Sequence, residues 1–406
     1  MNHFPKENYY ISFVTETYKP EINGVANTLS NLVEGLHQLG HKLQVISPEQ
    51  DNNQADDCNQ ANEPNNSIDN IRVSGASIPG YKELKFGFPQ TTKLSKLWQY
   101  ERPDIIYIAT EGPLCWSAIT VAKFYNIPLV SGFHTNFHTY SKYYRLGILK
   151  PLIIQYLKYF HNRTNMTLVP TIEMRTLLIN LGVNNVEIMG RGVNTTLYSP
   201  LKRCNKLRYT WGLNDTDIAI LYVGRIAVEK NAQLAIKSFR EIQKINKNVK
   251  FIMVGDGPLS KKLKTENEDI IFCGMQTGED LARHYASGDI LLFPSETETF
   301  GNVITEAMAS GLAIVAYNYA AAHIFLNNNE CGITVQKGNE QDYIDQCVQL
   351  AQDTNLQKLY QTNARQASED VSWNATVNRF LKLLLSTKQK EVTHEHKQDR
   401  TNVRLS

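Results

Sequence analysis

The chain has 406 residues, with 42 Lys and Arg against 40 Asp and Glu, and hydrophobic and charged shares of 42% and 20%. These shares are ordinary for a globular protein and the length fits two domains, while a net charge of +2 gives no footing for nucleic acid as a partner. Six cysteines (58, 115, 204, 273, 331 and 347) lack C-x-x-C or any other metal-like spacing, which suits a reducing compartment.

The opening MNHFPKENYYISF has no apolar stretch of signal-peptide type, and no run approaches the ~20 apolar residues of a membrane span. A cytoplasmic chain is expected, at most peripheral to the inner face of a membrane. Strands are predicted at YYISFVTE (9–16) and KLQVISP (42–48), and between them Leu29, Leu32, Val33, Leu36 and Leu39 form a helical stripe closed by Gly40. Residues 49–70 are Asn-rich and almost without apolar side chains, the composition of a disordered surface loop. Further strands follow at 104–110, 127–133, 166–171 and 186–190.

The second half repeats the pattern, with strands predicted at 218–225, 249–256, 270–275, 290–295, 313–318 and 332–335. Near-continuous apolar strands alternating with helices predict parallel sheets covered on both faces. The expected fold is α/β, two Rossmann-like doubly wound domains facing across a cleft. The first domain is placed at 1–198 and the second at 199–370. A helix over 371–387 is expected to cross back to the first domain, and 388–406 to be a polar, disordered tail.

Chemistry concentrates in two segments of the second half. In FPSETETFGNVITEAMASGLAIVAYN (293–318) a strand ends at Pro294, and Gly301-Asn302 opens a helix whose free N–H groups and dipole favour an anion. Glu298 and Glu306 flank that point, and carboxylates accept hydrogen bonds from sugar hydroxyls without a metal. The same pattern also fits a capped helix with two solvated acids. In YVGRIAVEKN (222–231) a strand ends at Gly224, and Arg225 and Lys230 follow on the loop. Two cations at that spacing either clamp a diphosphate or are solvated surface charge. VGDGP (254–258) adds a third strand-to-glycine turn but lacks the third glycine of a dinucleotide fingerprint.

In order and spacing these segments resemble the family 4 retaining glycosyltransferases of the GT-B fold, in their bacterial mannosyl-, glucosyl- and glycolipid-forming branch. The resemblance covers about residues 9–386 apart from 49–70, and is most specific over Glu298–Gly311. It implies that Glu298 holds hydroxyls of the donor sugar and Glu306 the ribose. Thr299, Phe300, Gly301, Asn302 and Val303 would line sugar and phosphate with backbone amides. Arg225 and Lys230 beside Gly224 would hold the diphosphate and stabilise its leaving charge. In the first half, ETYKPEINGVANTLSNL (16–32) resembles the family's opening glycine loop, with Gly24 in the glycine place. SGFHTNF (131–137) resembles the segment whose histidine lies beside the donor sugar, which points to His134. MGRGVN (189–194) resembles the linker motif, with Arg191 near the phosphates and Asn194 where relatives usually carry Asp.

The resemblance thus implies transfer of a hexose from a GDP- or UDP-linked donor to a lipid or glycan acceptor, in α-linkage. No cofactor or metal is expected. Asp215-Thr216-Asp217 spells a D-x-D triplet but precedes a strand, where a turn is expected. Residues 112–172 contain no Asp or Glu, and the basic, aromatic stretch 140–163 either meets an anionic membrane surface or packs with snorkelling lysines. A sugar-nucleotide epimerase of the same fold and a catalytically silent nucleotide-sugar binding module are the alternative readings.

Overall fold

A computed structural model describes residues 8–21, 23–49, 68–78, 81–134, 150–326 and 330–402. The loop expected at 49–70 therefore falls largely outside the described residues, as do residues 140–149 of the basic stretch. The chain divides into two compact units, one of residues 1–170, 174–189 and 377–406, the other of residues 171–173 and 190–376.

The first unit is built on strands β1 (Tyr10–Val14), β2 (Lys42–Pro48), β3 (Asp69–Val73), β6 (Ile105–Ile108), β7 (Leu129–Gly132), β8 (Met166–Val169) and β9 (Val186–Ile188). They form a parallel sheet in the order β3-β2-β1-β6-β7-β8-β9. A hairpin of β4 (Gly75–Ile78) and β5 (Tyr81–Gly87) is interposed in the chain. β3 and this hairpin were not expected from the sequence, because DNIRV and YKELKFG mix charge with apolar residues and lack the continuous apolar run of a buried strand. The expected helical stripe is buried at Leu29, Leu32, Val33 and Leu36, whereas Leu39 caps the helix and is exposed.

The second unit repeats the plan with β10 (Ile218–Val223), β11 (Val249–Val254), β12 (Ile271–Gly274), β13 (Ile290–Phe293), β14 (Ala313–Tyr317) and β15 (Ile333–Val335). Their order is β12-β11-β10-β13-β14-β15, all parallel. Both faces are covered, as the apolar runs require. Ile220 and Tyr222 pack with Phe239 and Tyr343 on one side, while Leu221 and Val223 pack with Ile304 and Met308 on the other. In each sheet the order reverses beside the first strand of its unit, and at such a switch point the loops leaving neighbouring strands diverge and open a crevice.

The last helix runs from Trp373 to Asn402, past residue 387 where its end was expected. Polarity suggested a disordered tail, but 388–402 contains no Gly or Pro and many good helix formers, so nothing in it stops the helix. The D-x-D triplet is a turn, with Asp217 accepting from the Asn214 amide at 2.7 Å.

Beneath the start of the helix Pro113–Phe124 lies the buried carboxyl of Glu16, which accepts from the amides of Leu114 (3.1 Å) and Gly87. Only a glycine fits at position 112, where a Cβ would stand 2.0 Å from a Glu16 carboxyl oxygen. Burial pushes the Glu16 pKa up to about 7, against the downward pull of the Gly87, Leu114 and Cys115 amides. A carboxyl whose folded pKa lies above its unfolded value binds its proton more tightly when folded. Its contribution is fully present below about pH 4.5 and is lost as pH rises through 7. Urea unfolding is therefore expected to show about 3 kcal/mol of stability lost from pH 4.5 to pH 8 through this group. Glu16→Gln should remove that share of the slope.

Candidate active site

β10 gives way at once to Gly224, where φ is +141° and an added Cβ would meet open space. The neighbouring turn is tighter. A Cβ on Gly255 would stand 2.0 Å from the Gly224 carbonyl oxygen, and one on Gly257 would stand 2.4 Å from that of Ile226. Backbone packs on backbone here, which is what the glycines of VGDGP supply. The loop from Gly224 then carries Arg225 outward, its side chain largely exposed and 3.4 Å from Glu229. A short 3-10 turn, Val228–Lys230, ends at Asn231 in the left-handed conformation, before the helix Ala232–Ile245.

Lys230 turns toward the next strand's loop. Its Nζ donates to Glu298 Oε1 at 2.5 Å and to the Thr297 carbonyl at 2.8 Å. Glu298 Oε1 also accepts from the buried Ser295 hydroxyl at 2.7 Å. Both ionic side chains are mostly buried, so each depends on the other for compensation. Gly301 follows with φ +94° and opens the helix Asn302–Ala309, whose start no side chain caps. An uncapped helix start leaves its first amides without a side-chain acceptor, the arrangement that favours an anion. The Phe300 ring is buried and lies 3.3 Å from where a Gly190 Cβ would be, which brings Arg191, one residue on, to the same end of the unit.

Glu306 is drawn into the unit. Its Oε2 accepts from the Tyr285 hydroxyl at 2.9 Å, and the Tyr198 ring packs edge to face on Tyr285 with its hydroxyl toward the same carboxylate. Burial raises the Glu306 pKa and the two tyrosines lower it, with burial the larger effect. Both hydroxyls are held well above the ordinary tyrosine pKa, so they remain donors.

The structure thus brings Arg191, Gly224, Arg225, Lys230, Glu298, Thr299, Phe300, Gly301, Asn302, Val303 and Glu306 into one unit, while Gly24 and His134 belong to the other. Gly24 opens the helix Gly24–Gln38, but Asn23 Oδ1 already accepts from the Val25 and Ala26 amides. His134 follows β7, and its Nε2 lies 2.8 Å from the hydroxyl of the buried Tyr107. Gly132 makes room for this pair, since a Cβ there would stand 2.1 Å from Tyr107 Oη and 2.5 Å from His134 Nε2. Sequence reasoning missed Tyr107, Tyr198, Tyr285 and Ser295. Tyr107 lies within the apolar strand IIYI and Tyr285 four residues after Leu281 on a helix, so both look like core; Tyr198 lies in a connecting segment that carries no periodic signal.

Residues 22–197 match the family model described as Glycosyltransferase Family 4, and residues 217–353 match that of Glycosyl transferases group 1. A GDP-mannose-dependent alpha-mannosyltransferase of Mycolicibacterium smegmatis is 29% identical over 307 residues, covering 75% of this chain and 79% of that protein. An alpha-monoglucosyldiacylglycerol synthase of Streptococcus pneumoniae is 27% identical over 335 residues, covering 78% of this chain and 72% of the relative. Among solved structures, Anabaena HepE in complex with UDP aligns with a TM-score of 0.68 at 19% identity, over 93% of this chain and 100% of the other.

Two glycines at these sites separate steric from conformational cost. Gly132→Ala should lower unfolding free energy by more than about 2 kcal/mol, because it breaks the Tyr107–His134 pair. Gly301→Ala has room for its methyl group, 3.5 Å from Glu298. It should cost only about 1–2 kcal/mol, for the positive φ alone. Urea denaturation of both variants checks the order.

Proposed function

The chain belongs to the family 4 glycosyltransferases of the GT-B fold, its two matched segments together spanning most of its length, and we propose that it transfers a hexose with retention of configuration, from a GDP- or UDP-linked donor to a lipid or glycan acceptor in α-linkage. The observation that carries this reading is the Lys230–Glu298 pair beside the uncapped helix start at Gly301. Together they supply a cation, a carboxylate able to accept from hydroxyls, and oriented amides near two neighbouring strand ends.

Sugar transfer develops positive charge on the sugar and negative charge on the departing diphosphate. Lys230, the outward Arg225 and the helix start stabilise the departing charge, as fixed electrostatic groups do in other active sites. These groups do the work for which other transferases recruit a divalent cation, so the reaction is read as metal-independent and without cofactor. Glu298 accepts from donor-sugar hydroxyls once Lys230 turns to the phosphate. In a retaining reaction the acceptor attacks from the face that the diphosphate leaves, and a phosphate oxygen takes the acceptor's proton. GDP and UDP are the nucleotides named for the mannosyltransferase relative and the HepE complex.

A lipid acceptor is supported by the name of the streptococcal relative and by the helix Lys150–His161, which exposes Leu152, Tyr156 and Tyr159 beside Lys158. Apolar and aromatic side chains next to basic ones suit an anionic membrane surface, on the inner face of the membrane. No helix among the described residues is long and apolar enough to cross a membrane.

Arg225→Ala and Lys230→Ala should each lower turnover about 10²–10³-fold, measured as nucleotide diphosphate release with GDP-mannose and UDP-glucose over lipid extracts. Near-normal release by both would reject the site. Release should survive EDTA. Flotation with anionic but not neutral liposomes is expected, and its absence would remove the membrane surface from this reading.

A further inference from the structure

The carboxylate of Glu306 accepts from the Tyr285 hydroxyl, and a second tyrosine, Tyr198, stands beside it from a different element. Tyr285 lies on the helix Gly278–Ser287 and is fully buried. Tyr198 lies in the segment joining β9 to the second unit's sheet. The two rings meet edge to face, with centroids 5.6 Å apart at 87°, so each fixes the other. Tyr198 is in turn set by a turn at Asn194. Its amide donates to the Asn194 carbonyl at 2.8 Å, while Asn194 Oδ1 accepts from the Thr196 and Leu197 amides at 3.1 and 2.9 Å. A neutral amide oxygen closes this turn, and no charge is needed at that position.

We propose that Tyr198 and Tyr285 are positioning residues for the donor's ribose: their hydroxyls hold the Glu306 carboxylate in the orientation in which it accepts the ribose hydroxyls. The inference rests on the reading of Glu306 as the ribose holder, and adds what holds the holder. A carboxylate on one helix turn has free rotamers, and two donors from separate elements reduce them to one. The hydroxyls have a second effect. Glu306 must be ionised to accept from two sugar hydroxyls, burial opposes ionisation, and both tyrosines favour it. The charged groups on neighbouring elements are otherwise engaged. Arg365, on the helix Thr354–Ser368, bonds the Ala309 carbonyl and Glu369, and His323, on the helix Ala321–Phe325, bonds Glu173. Glu298 faces the cluster through Tyr285 and itself pairs with Lys230.

The test is calorimetric binding of GDP and UDP, and of their 2′,3′-dideoxy forms, to the full chain between pH 5.5 and 8.5. Tyr198→Phe and Tyr285→Phe are each expected to weaken the ribose nucleotides about tenfold. They should also move the acid fall-off in affinity to higher pH, because losing a donor raises the carboxyl's pKa. The dideoxy forms should bind as they do to the unmodified protein. Tyr198 is only partly buried, so its variant keeps the test open if Tyr285→Phe does not fold. Glu306→Gln separates the two levels. If it weakens the ribose nucleotides while both tyrosine variants bind normally with an unmoved acid limb, the positioning role is overturned. Equal weakening of ribose and dideoxy forms by the tyrosine variants overturns it as well. If Glu306→Gln binds ribose nucleotides normally, the ribose reading itself fails, and the inference with it.

Discussion

The ion pair between Lys230 and Glu298 ties together two loops that lie 68 residues apart in the chain. One loop leaves β10 and the other leaves β13, the two strands between which the order of the second sheet reverses. Loops at such a point diverge, and something must hold them in register if groups from both are to meet one ligand. The pair is reinforced by Asn231 Nδ2 on Glu296 Oε1 at 3.4 Å and by the Glu296 amide on the Glu229 carbonyl at 3.3 Å. Because both charges are largely out of water, removing one strands the other. Under the proposed donor role, phosphate and sugar hydroxyls would offer each partner a replacement, and the backbone and Asn231 contacts would keep the loops engaged.

This arrangement needs the strand ends themselves to be close, and the glycines decide that. With Gly255 against the Gly224 carbonyl and Gly257 against that of Ile226, β11 closes over the root of the Arg225 loop at a distance no side chain would allow. The first unit solves a similar problem with a different residue. Gly132 gives up its side-chain volume to the Tyr107 hydroxyl and the His134 ring. Where backbone must meet backbone the glycines permit turn geometry; where two side chains must meet, the glycine is a vacated space.

Strands and their parallel pairing were legible because residues such as those of IAILYV and ILLFPS are apolar on both faces, which only a covered sheet explains. The cations and acids of the second unit were legible as well, since a charge directly after an apolar strand stands out. What escaped detection was whatever depends on partners far apart in sequence. Tyr107 lies in an apolar strand and Tyr285 shares the buried side of its helix with Ala282 and Ala286, and nothing local distinguishes a core tyrosine from one whose hydroxyl bonds a carboxylate. The segment around Tyr198 has no periodicity at all, yet its turn delivers a hydroxyl to Glu306. Polarity misled at the C-terminus, where continuous helix formers outweigh the absence of an apolar stripe as far as Asn402. The mixed-charge strands β3 and β5 were invisible for the opposite reason, since an edge strand and a hairpin need no continuous apolar run.

Each unit also buries a carboxyl against the cost of desolvation, and the donors chosen differ in a way that separates scaffold from site. Glu16 is met by main-chain amides at a helix start, groups that are fixed once the fold is formed and that leave the carboxyl no other task. Glu306 is met by the phenol of Tyr285, with Tyr198 packed against it, and phenolic hydroxyl hydrogens can rotate about the C–O bond. Backbone donors would hold that carboxylate as firmly but would compete for the same lone pairs with no freedom to yield. On the proposed ribose role, that freedom of the phenol is what would let a desolvated acid stay oriented and still accept from sugar hydroxyls.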